Sequence, residues 1–166
     1  RKLCKKILDI CRISLYNRKS VLPWGTCFEK ITCHAGIPHD ICKGEIGMRV
    51  IAGSARGRRL KTLEGMDVRP TTDKVKEAIF SAIQFDLPDA AVLDLFAGSG
   101  QMGIEALSRG AASVVFVDRS ARSLQVTREN LESVQFAEQA QLHQTEAQSF
   151  LQSTAMQFDI AILDPP

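Results

Sequence analysis

The chain has 166 residues, of which 45% are hydrophobic and 24% are charged, and its mean hydropathy is -0.05. These values are typical of one globular domain and argue against wholesale disorder or a collagen-like chain. No apolar run approaches the ~18 residues of a transmembrane helix. The net charge of +2 is unevenly distributed, because residues 1–47 contain 9 Lys/Arg and 4 Asp/Glu whereas residues 48–166 contain 12 and 15. We therefore treat residues 1–47 as a separate leader.

The leader holds every cysteine of the chain: Cys4, Cys11, Cys27, Cys33 and Cys42. Their spacing contains no C-x-x-C pair, and the odd count is not that of a complete disulfide framework. A zinc set that combines Cys33 and Cys42 with His34 and His39 is an alternative. Zinc sites with these ligands usually have a closer first pair, so we expect no metal site.

The leader has a further possible origin. Residues 43–48 back-translate to a purine-rich stretch that resembles a bacterial ribosome-binding site shortly before a start codon. We hypothesise that residues 1–47 are upstream sequence read as protein and that Met48 is the natural start. Asp9 and Arg12 interrupt the first apolar segment, so no secretory signal is expected.

Residues 48–88 are predicted to form a hairpin and a helix. Residues 48–52 have the pattern of a short apolar strand that ends at Gly53. Four positive charges then follow within six residues, at Arg56, Arg58, Arg59 and Lys61. Such a cluster suits either a clamp for RNA phosphates or a solvated hairpin arm, and the sequence leaves both open.

The helix of this unit is predicted to begin at Thr72. Thr72 is a suitable N-cap, and Asp73 suits the positive end of the first turn. Apolar residues then recur at helical spacing and predict a face that docks on a larger body: Val75, Ile79, Ala82 and Ile83.

Residues 89–166 alternate between strands and helices. Strands are predicted at residues 91–96, 113–118, 140–143 and 158–163. Helices are predicted between them at residues 101–109, 120–131 and 147–151. This alternation predicts an α/β fold with a doubly wound, mostly parallel sheet of Rossmann type that has four major strands.

A glycine loop follows the first of these strands. Residues 98–103 read G-x-G-x-x-G between a strand and a helix, and Asp118 ends the next strand. This is the context of a nucleotide-binding fingerprint, in which the acid accepts hydrogen bonds from ribose hydroxyls. Asp94 would repel a pyrophosphate and attract ammonium and sulfonium charge, which favours S-adenosylmethionine over NAD. The alternative for Asp94 is a polar residue that caps a neighbouring turn.

The tripeptide Asp164-Pro165-Pro166 follows the last predicted strand. Ligands of an open parallel sheet bind beyond the carboxyl ends of its strands, so the tripeptide is expected to face the same cleft as Gly98 and Asp118. Its two prolines lack N–H donors, and the remaining acceptors suit an exocyclic amine.

These motifs resemble class I S-adenosylmethionine-dependent methyltransferases that act on amino groups. The resemblance is carried by residues 92–100, residues 105–110 and Asp164-Pro165-Pro166. Residues 49–53, 56–58 and 69–73 make it more specific, because they resemble the bacterial RsmD-type enzymes, which methylate the N2 of a guanine in 16S ribosomal RNA. The similarity covers residues 48–166.

The resemblance implies a role for individual residues. The methionine end of the cofactor would be held by Asp94, Gly98 and Gly100, and Phe96 would also bind the cofactor. Asp118 would hold the ribose, and Glu146 and Ala147 would lie near the adenine. Asp164, together with the carbonyl of Pro165, would accept hydrogen bonds from the guanine amine. Phosphates of the RNA would be bound by Arg56, Arg58, Arg59, Lys61 and Arg69.

The resemblance also implies an enzyme that acts on 16S ribosomal RNA within a small-subunit particle and needs no metal. The lack of a targeting signal, and of cysteines after Met48, favours the cytoplasm, and we expect a monomer. The family has an aromatic residue and further strands after the Asp-Pro-Pro motif, so we interpret the chain as truncated at Pro166. Gln101 and Met102 stand where small residues are more common, which would narrow the cofactor cleft or merely repack it.

Other functions fit parts of the pattern. N6-adenine and protein-glutamine methyltransferases share the Asp/Asn-Pro-Pro motif, but the arginine-rich hairpin argues against both. Asp94 and the terminal tripeptide disfavour an NAD-linked oxidoreductase. A non-catalytic remnant that binds only RNA would show salt-sensitive binding without cofactor affinity.

Overall fold

The fold is organised around a five-stranded sheet in a computed structural model that describes residues 4–9, 48–63 and 72–165. The strands are β1 (Cys4–Asp9), β2 (Ala91–Asp94), β3 (Ser113–Asp118), β4 (Ala140–Gln144) and β5 (Phe158–Leu163). Their order is β1-β5-β2-β3-β4, and every pairing is parallel. The chain thus moves outward from β2 to β4 and then returns to the other side of β2.

Helices connect the strands. They are α1 (Asp73–Ala82), α2 (Gln101–Ser108), α3 (Ala121–Val134) and α4 (Ala147–Ser153), with a short 3-10 turn at Ala137–Gln139. The start of α3 is fixed by Ser120, whose hydroxyl accepts a hydrogen bond from the Ser123 amide at 3.2 Å. Its end is marked by Gln135 in the left-handed conformation.

Both faces of the sheet are buried. Val92, Val114 and Ile160 belong to a core on one face, which α1, α2 and α3 cover. Leu93 and Val115 belong to a second core on the opposite face, where Phe150 of α4 packs. Strands buried on both faces favour continuous apolar runs, which β3 has at residues 114–117 and β5 at residues 160–163. The predicted α/β, doubly wound, parallel fold is confirmed.

All four predicted strands are present, and the sheet has one strand more than predicted. The sheet has a fifth strand, β1, which lies in the leader and pairs with the outer edge of β5 through registers such as Lys6 with Ile160. Backbone groups at a sheet edge can pair with any extended segment, whatever its charge. The basic composition of the leader therefore gave no sign of this strand. The cysteines and histidines between residues 11 and 42 lie outside the described residues.

The buried face of α1 also differs from the prediction. Lys76, Ile79, Phe80 and Ile83 are buried, whereas Ala82 is exposed. The helix is oriented by Phe80 in the core and by the Lys76 ammonium, which donates to the Arg49 carbonyl at 2.8 Å. Thr72 occupies the N-cap position as predicted, but its side chain makes no capping hydrogen bond.

The segment of residues 48–61, hereafter the arm, folds back on itself without forming the predicted strand. It has one antiparallel bridge, between Arg49 and Arg59. The Val50 amide donates to the Arg58 carbonyl at 3.0 Å, and the Leu60 amide donates to the Met48 carbonyl at 2.7 Å. The prediction of a hairpin-like arm is therefore correct in outline, and the prediction of a regular strand is wrong.

The arm and the sheet share one core. Met48, Val50 and Leu60 of the arm are buried in the same cluster as Phe80 of α1 and Val92 of β2. The domain boundary predicted near residue 88 thus runs through a common apolar core. Within the described part of the chain, none of the helices could serve as a membrane span.

Candidate cofactor-binding site

The order of the strands defines where a ligand would bind. From β2 the strand order runs outward through β3 to β4, and β5 then adds on the other side of β2, so the topological switch point lies between the carboxyl ends of β2 and β5. In open parallel sheets this switch point is the usual position of the ligand. Asp94 ends β2, Asp164 follows β5 directly, and Asp118 ends β3. The sheet therefore brings together three predicted site residues.

Asp94 is a buried carboxylate with one defined partner. Its side chain is 1% exposed, and its Oδ2 accepts a hydrogen bond from the Gly103 amide in the first turn of α2 at 3.0 Å. Burial raises the pKa of Asp94 to about 7, and the charges of Asp164 and Asp118 add to the rise, while the Gly103 hydrogen bond opposes it. Asp94 thus does cap the helix, as the alternative interpretation expected, and it also interacts with both neighbouring acids.

The glycine loop (residues 97–100) connects β2 to α2 in a conformation that needs its glycines. Gly98 and Gly100 have φ of 55° and 79°. A Cβ on Gly100 would lie 2.7 Å from Thr127 Cγ2, whereas a Cβ on Gly98 would meet no atom within 4 Å. The backbone at Gly98 is therefore open to a ligand. Gly103 serves packing instead, because a Cβ there would lie 2.2 Å from Phe116 Cε1.

Asp118 links the glycine loop to the start of α3. Its Oδ2 accepts from the Gly98 amide at 2.9 Å, and its Oδ1 accepts from the Ser120 amide at 2.8 Å. Each carboxylate oxygen can accept a second hydrogen bond, so this carboxylate can also receive ligand hydroxyls.

Two residues of α3 hold the carbonyl side of the same loop, and the sequence analysis did not single them out. Thr127 donates to the Gly98 carbonyl at 3.0 Å, and Asn130 donates to the Ser99 carbonyl at 2.9 Å. Both side chains are buried. The sequence signal that could have identified Thr127 and Asn130 is a polar residue on the buried face of an amphipathic helix, because a buried polar group requires a hydrogen-bond partner.

Asp164 and Pro165 are half-buried beyond β5. Asp94 pairs in register with Ile162 of β5, so Asp164 lies two residues beyond that pair at the same edge of the sheet, and its charge contributes to the raised pKa of Asp94. Pro166, the last residue of the predicted tripeptide, lies outside the described residues.

The remaining predicted cofactor residues lie on neighbouring segments. Phe96 is half-buried in the loop after β2 and packs against the core that contains Phe150. Glu146 is exposed at the N-cap of α4, and Ala147 is the first residue of that helix. The side chains at residues 101–102 were predicted either to narrow the cofactor cleft or to repack it. Met102 is buried in the core, so repacking applies to this side chain.

The residues present fit the cationic and ribose portions of S-adenosylmethionine. Three carboxylates supply acceptors and negative charge, and the loop at Gly98 leaves room for close approach. Gln101, the first residue of α2, has an amide oxygen that is shielded from solvent and finds no hydrogen-bond partner among the residues of the described ranges. Such an orphaned acceptor beside the loop is consistent with a donor that a ligand would bring.

Four of the five predicted RNA-binding residues are exposed on the arm. Arg56, Arg58 and Arg59 are solvent-accessible. Lys61 is exposed too, but its ammonium pairs with Glu129 of α3 at 2.7 Å, which lowers the pKa of Glu129. The fifth residue, Arg69, lies outside the described residues.

The arm is attached to α2 by buried side chains that the sequence analysis did not assign. The Glu105 carboxylate accepts from the amides of Ile51 and Ala52 at 2.8 and 3.0 Å. The Ser108 hydroxyl donates to the Ala52 carbonyl at 2.5 Å and accepts from the Ala55 amide at 3.0 Å. These contacts hold the arm beside the helix that begins at the glycine loop.

A separate open groove of about 700 Å³ lies at the β4 edge of the molecule. It is lined by His143, Thr145, Phe150, Ser153, Thr154, Ala155 and Met156. None of the predicted site residues lines it. In the described ranges no group of acidic, histidine or cysteine side chains has the arrangement of a metal site.

Residues 48–166 match the family described as Conserved hypothetical protein 95. The chain belongs to this family. The arm, the glycine loop and the strand that leads to Asp164 all lie inside the matched residues.

Individual relatives agree with this assignment to the Conserved hypothetical protein 95 family. YlbH of Bacillus subtilis is 46% identical over 122 residues, which are 72% of this chain and 66% of the relative. Ribosomal RNA small subunit methyltransferase D of Escherichia coli is 37% identical over 129 residues, which are 78% of this chain and 64% of the relative. The solved structure of Escherichia coli yhhF has a TM-score of 0.65 at 36% identity, covering 72% of this chain and 64% of that one.

The resemblance to RsmD-type proteins is thereby confirmed. The chain spans slightly less than two thirds of the length of these relatives, between 64% and 66%.

Proposed function

We propose that the chain carries the cofactor-binding and catalytic part of an S-adenosylmethionine-dependent methyltransferase that modifies the N2 amine of a guanine in small-subunit ribosomal RNA. The observation that carries the proposal is the convergence of Asp94, Asp118 and Asp164 with the glycine loop at the switch point of the sheet. The name of the Escherichia coli relative supports ribosomal RNA as the substrate.

The choice of cofactor follows from charge. A dinucleotide would bring a pyrophosphate to the glycine loop, where Asp94 would repel it. S-adenosylmethionine instead brings an ammonium and a sulfonium group, which the three carboxylates attract. Bound there, it would supply a methyl group on a positively charged sulfur.

Different residues of the protein would bind different parts of the cofactor. Asp94, Phe96, Gly98 and Gly100 would surround the methionine end. The free lone pairs of Asp118 would accept the ribose hydroxyls. Glu146 and Ala147, at the start of α4, would flank the adenine.

Asp164 and the Pro165 carbonyl would position the nucleophile. The lone pair of a guanine N2 amine is delocalised into the ring, so acceptors that bind its two N–H groups make it more electron-rich. They also aim the nitrogen at the methyl group, and orientation of this kind accounts for much of the rate in such reactions. The target base would leave its stack to reach these acceptors.

The exposed arginines of the arm would bind phosphates of the RNA. Arg56, Arg58 and Arg59 give the arm three accessible charges, and Arg69 would add a fourth beyond it. We propose that the substrate is the RNA of a small-subunit particle and that the enzyme acts as a cytoplasmic monomer.

Calorimetric titration of the 166-residue chain with S-adenosylhomocysteine, with NAD as the comparison, tests the cofactor. Selective binding of S-adenosylhomocysteine is expected. Selective binding of NAD, or binding of neither ligand, would contradict the proposal for this chain.

Mass spectrometry of nucleosides tests the product. After incubation of the chain, S-adenosylmethionine and undermethylated small-subunit RNA, digestion should release N2-methylguanosine. N6-methyladenosine would identify the alternative amino-methyltransferase instead, and Asp164→Asn supplies the matched low-activity control.

A further inference from the structure

Among the described residues of α3, Asn130 is the one whose side chain forms hydrogen bonds both to the arm and to the glycine loop. It is 1% exposed on α3. Its Nδ2 donates to the Ser99 carbonyl at 2.9 Å and to the Lys61 carbonyl at 3.1 Å, and its Oδ1 accepts from the Lys61 amide at 2.7 Å. All of these partners are backbone groups.

The hydrogen bonds of Asn130 form a bridge between segments that are far from each other in the sequence. Lys61 lies 69 residues before Asn130, and Ser99 lies 31 residues before it. Lys61 ends the basic cluster of the arm, and Ser99 lies between the two glycines of the loop. A second contact also links the loop to the arm: the Ser99 hydroxyl lies 3.4 Å from the Met48 sulfur.

We propose that Asn130 is a positioning residue that couples the arm to the glycine loop, so that cofactor binding and RNA binding strengthen each other. The coupling rests on the function proposed above. A ligand that fixes the Ser99 peptide also fixes the Asn130 amide group, and the same amide group holds both backbone groups of Lys61. The arm is then ordered before RNA arrives, which reduces the entropy that RNA binding must overcome.

Linkage makes the coupling measurable from either side. If saturating cofactor tightens RNA binding by some factor, RNA tightens cofactor binding by the same factor. Coupled sites in proteins commonly show factors of about 5 to 150. We expect S-adenosylhomocysteine to tighten the binding of a 16S ribosomal RNA transcript to this chain by at least about fivefold.

Three variants distinguish coupling from simple loss of structure. Asn130→Ala removes the bridge and should reduce the coupling factor toward one, with the long contact between Ser99 and Met48 as the only remaining direct hydrogen bond between loop and arm among the described residues. Thr127→Val removes only the bond to the Gly98 carbonyl, so it should weaken cofactor binding while the coupling factor persists. Glu129→Gln weakens the ion pair with Lys61 and alters the hydrogen bond from Gln125, and it leaves the hydrogen bonds of Asn130 in place, so it should leave the coupling factor intact. An unchanged factor in Asn130→Ala would overturn the proposal.

Amide hydrogen exchange in the unmodified chain tests the same coupling should Asn130→Ala fail to fold. S-adenosylhomocysteine should slow exchange of the Lys61 amide more than that of the Phe136 amide, which donates to Leu131 near the far end of α3 and reports global stabilisation. Equal slowing at both amides would overturn the coupling alone. Absence of S-adenosylhomocysteine binding would overturn both the coupling and the proposed function.

Discussion

Asp94 is the residue whose chemistry depends most on the fold around it. As a free side chain it would be ionised at neutral pH, but burial and two neighbouring acids raise its pKa to about 7. A cation bound beside it would favour the ionised form again. Binding of a cationic ligand should therefore release a proton below pH 7.

This gives a prediction for the pH dependence of cofactor affinity. S-adenosylhomocysteine lacks the sulfonium charge but keeps the ammonium group, so its association constant should rise with pH up to about pH 7 and level off above it, by at most about tenfold per pH unit. Asp94→Asn should bind more weakly and lose this dependence. Calorimetry between pH 5.5 and 7.5 measures it, with Asp89→Asn, an exposed acid before β2, as the matched control. A retained slope in Asp94→Asn would assign the proton to another group.

Asp118 and Asp164 are predicted to act at different steps. Asp118 holds the Gly98 amide, so Asp118→Ala should weaken S-adenosylhomocysteine binding by about 10- to 100-fold. Asp164→Asn should leave this affinity nearly unchanged and slow methyl transfer by a similar factor, because its hydrogen bond matters most as the amine reacts. Calorimetry and single-turnover assays separate the two effects, and an equal loss of cofactor affinity in both variants would refute these roles.

At the scale of elements, the attachment of the arm to α2 depends on Gly53. Gly53 and Gly57 have nearly the same φ, 83° and 82°, but a Cβ at Gly53 would lie 1.7 Å from the Ser108 carbonyl oxygen, whereas one at Gly57 would meet no atom within 4 Å. The two positions therefore form a matched pair that separates backbone strain from close packing.

Alanine substitutions at this pair should have unequal effects. Gly57→Ala carries only the cost of a left-handed alanine, about 1 kcal/mol. Gly53→Ala must also displace the arm from α2 and should destabilise the fold by a further ~1–3 kcal/mol. Urea unfolding of both variants provides the measurement, and equal losses would mean that the arm adjusts without strain.

The arm should also reveal its role through salt dependence. Arg58→Ala should lower the affinity for ribosomal RNA and reduce the slope of log K against log salt by about one. Lys61→Ala should change the slope less, because Glu129 already neutralises this lysine. Filter binding at several salt concentrations provides the comparison. An unchanged slope in Arg58→Ala would mean that the arm is a solvated surface.

The elements that could be predicted from sequence are those with local signals. The bounds of β3 and β5 agree with the prediction at both ends, because each strand is built around an apolar run of four residues, 114–117 and 160–163. The glycine loop and Asp118 were recognisable from spacing alone. Glu105, Ser108 and Asn130 hold the arm through hydrogen bonds between residues that lie 53 to 69 positions from each other in the sequence. The link from Asn130 to Ser99 spans 31 positions. No local sequence pattern encodes such pairings.

For the whole molecule, the raised pKa of Asp94 predicts how stability varies with pH. The folded state holds this proton up to about pH 7, whereas the unfolded chain releases it near 3.8. The stability contributed by Asp94 is therefore present below pH 4 and is lost as the pH rises to 7, by about 4 kcal/mol at most.

Asp94→Asn should remove this loss. At pH 8 and without ligand, the variant should be more stable than the parent chain, although it binds cofactor less tightly. Chemical unfolding at pH 5 and pH 8 tests this expectation. Equal pH dependence of the two proteins would show that Asp94 titrates near its ordinary value.

The way in which the arm is fastened has a consequence for how its sequence can diverge. Glu105, Ser108 and Asn130 hold the arm by its peptide groups, which every amino acid except proline provides in full. The side chains of Arg56, Arg58 and Arg59 take no part in this attachment, so they are free to vary without detaching the arm. Under the function proposed above, the RNA that the arm recognises can thus change while the attachment of the arm stays in place.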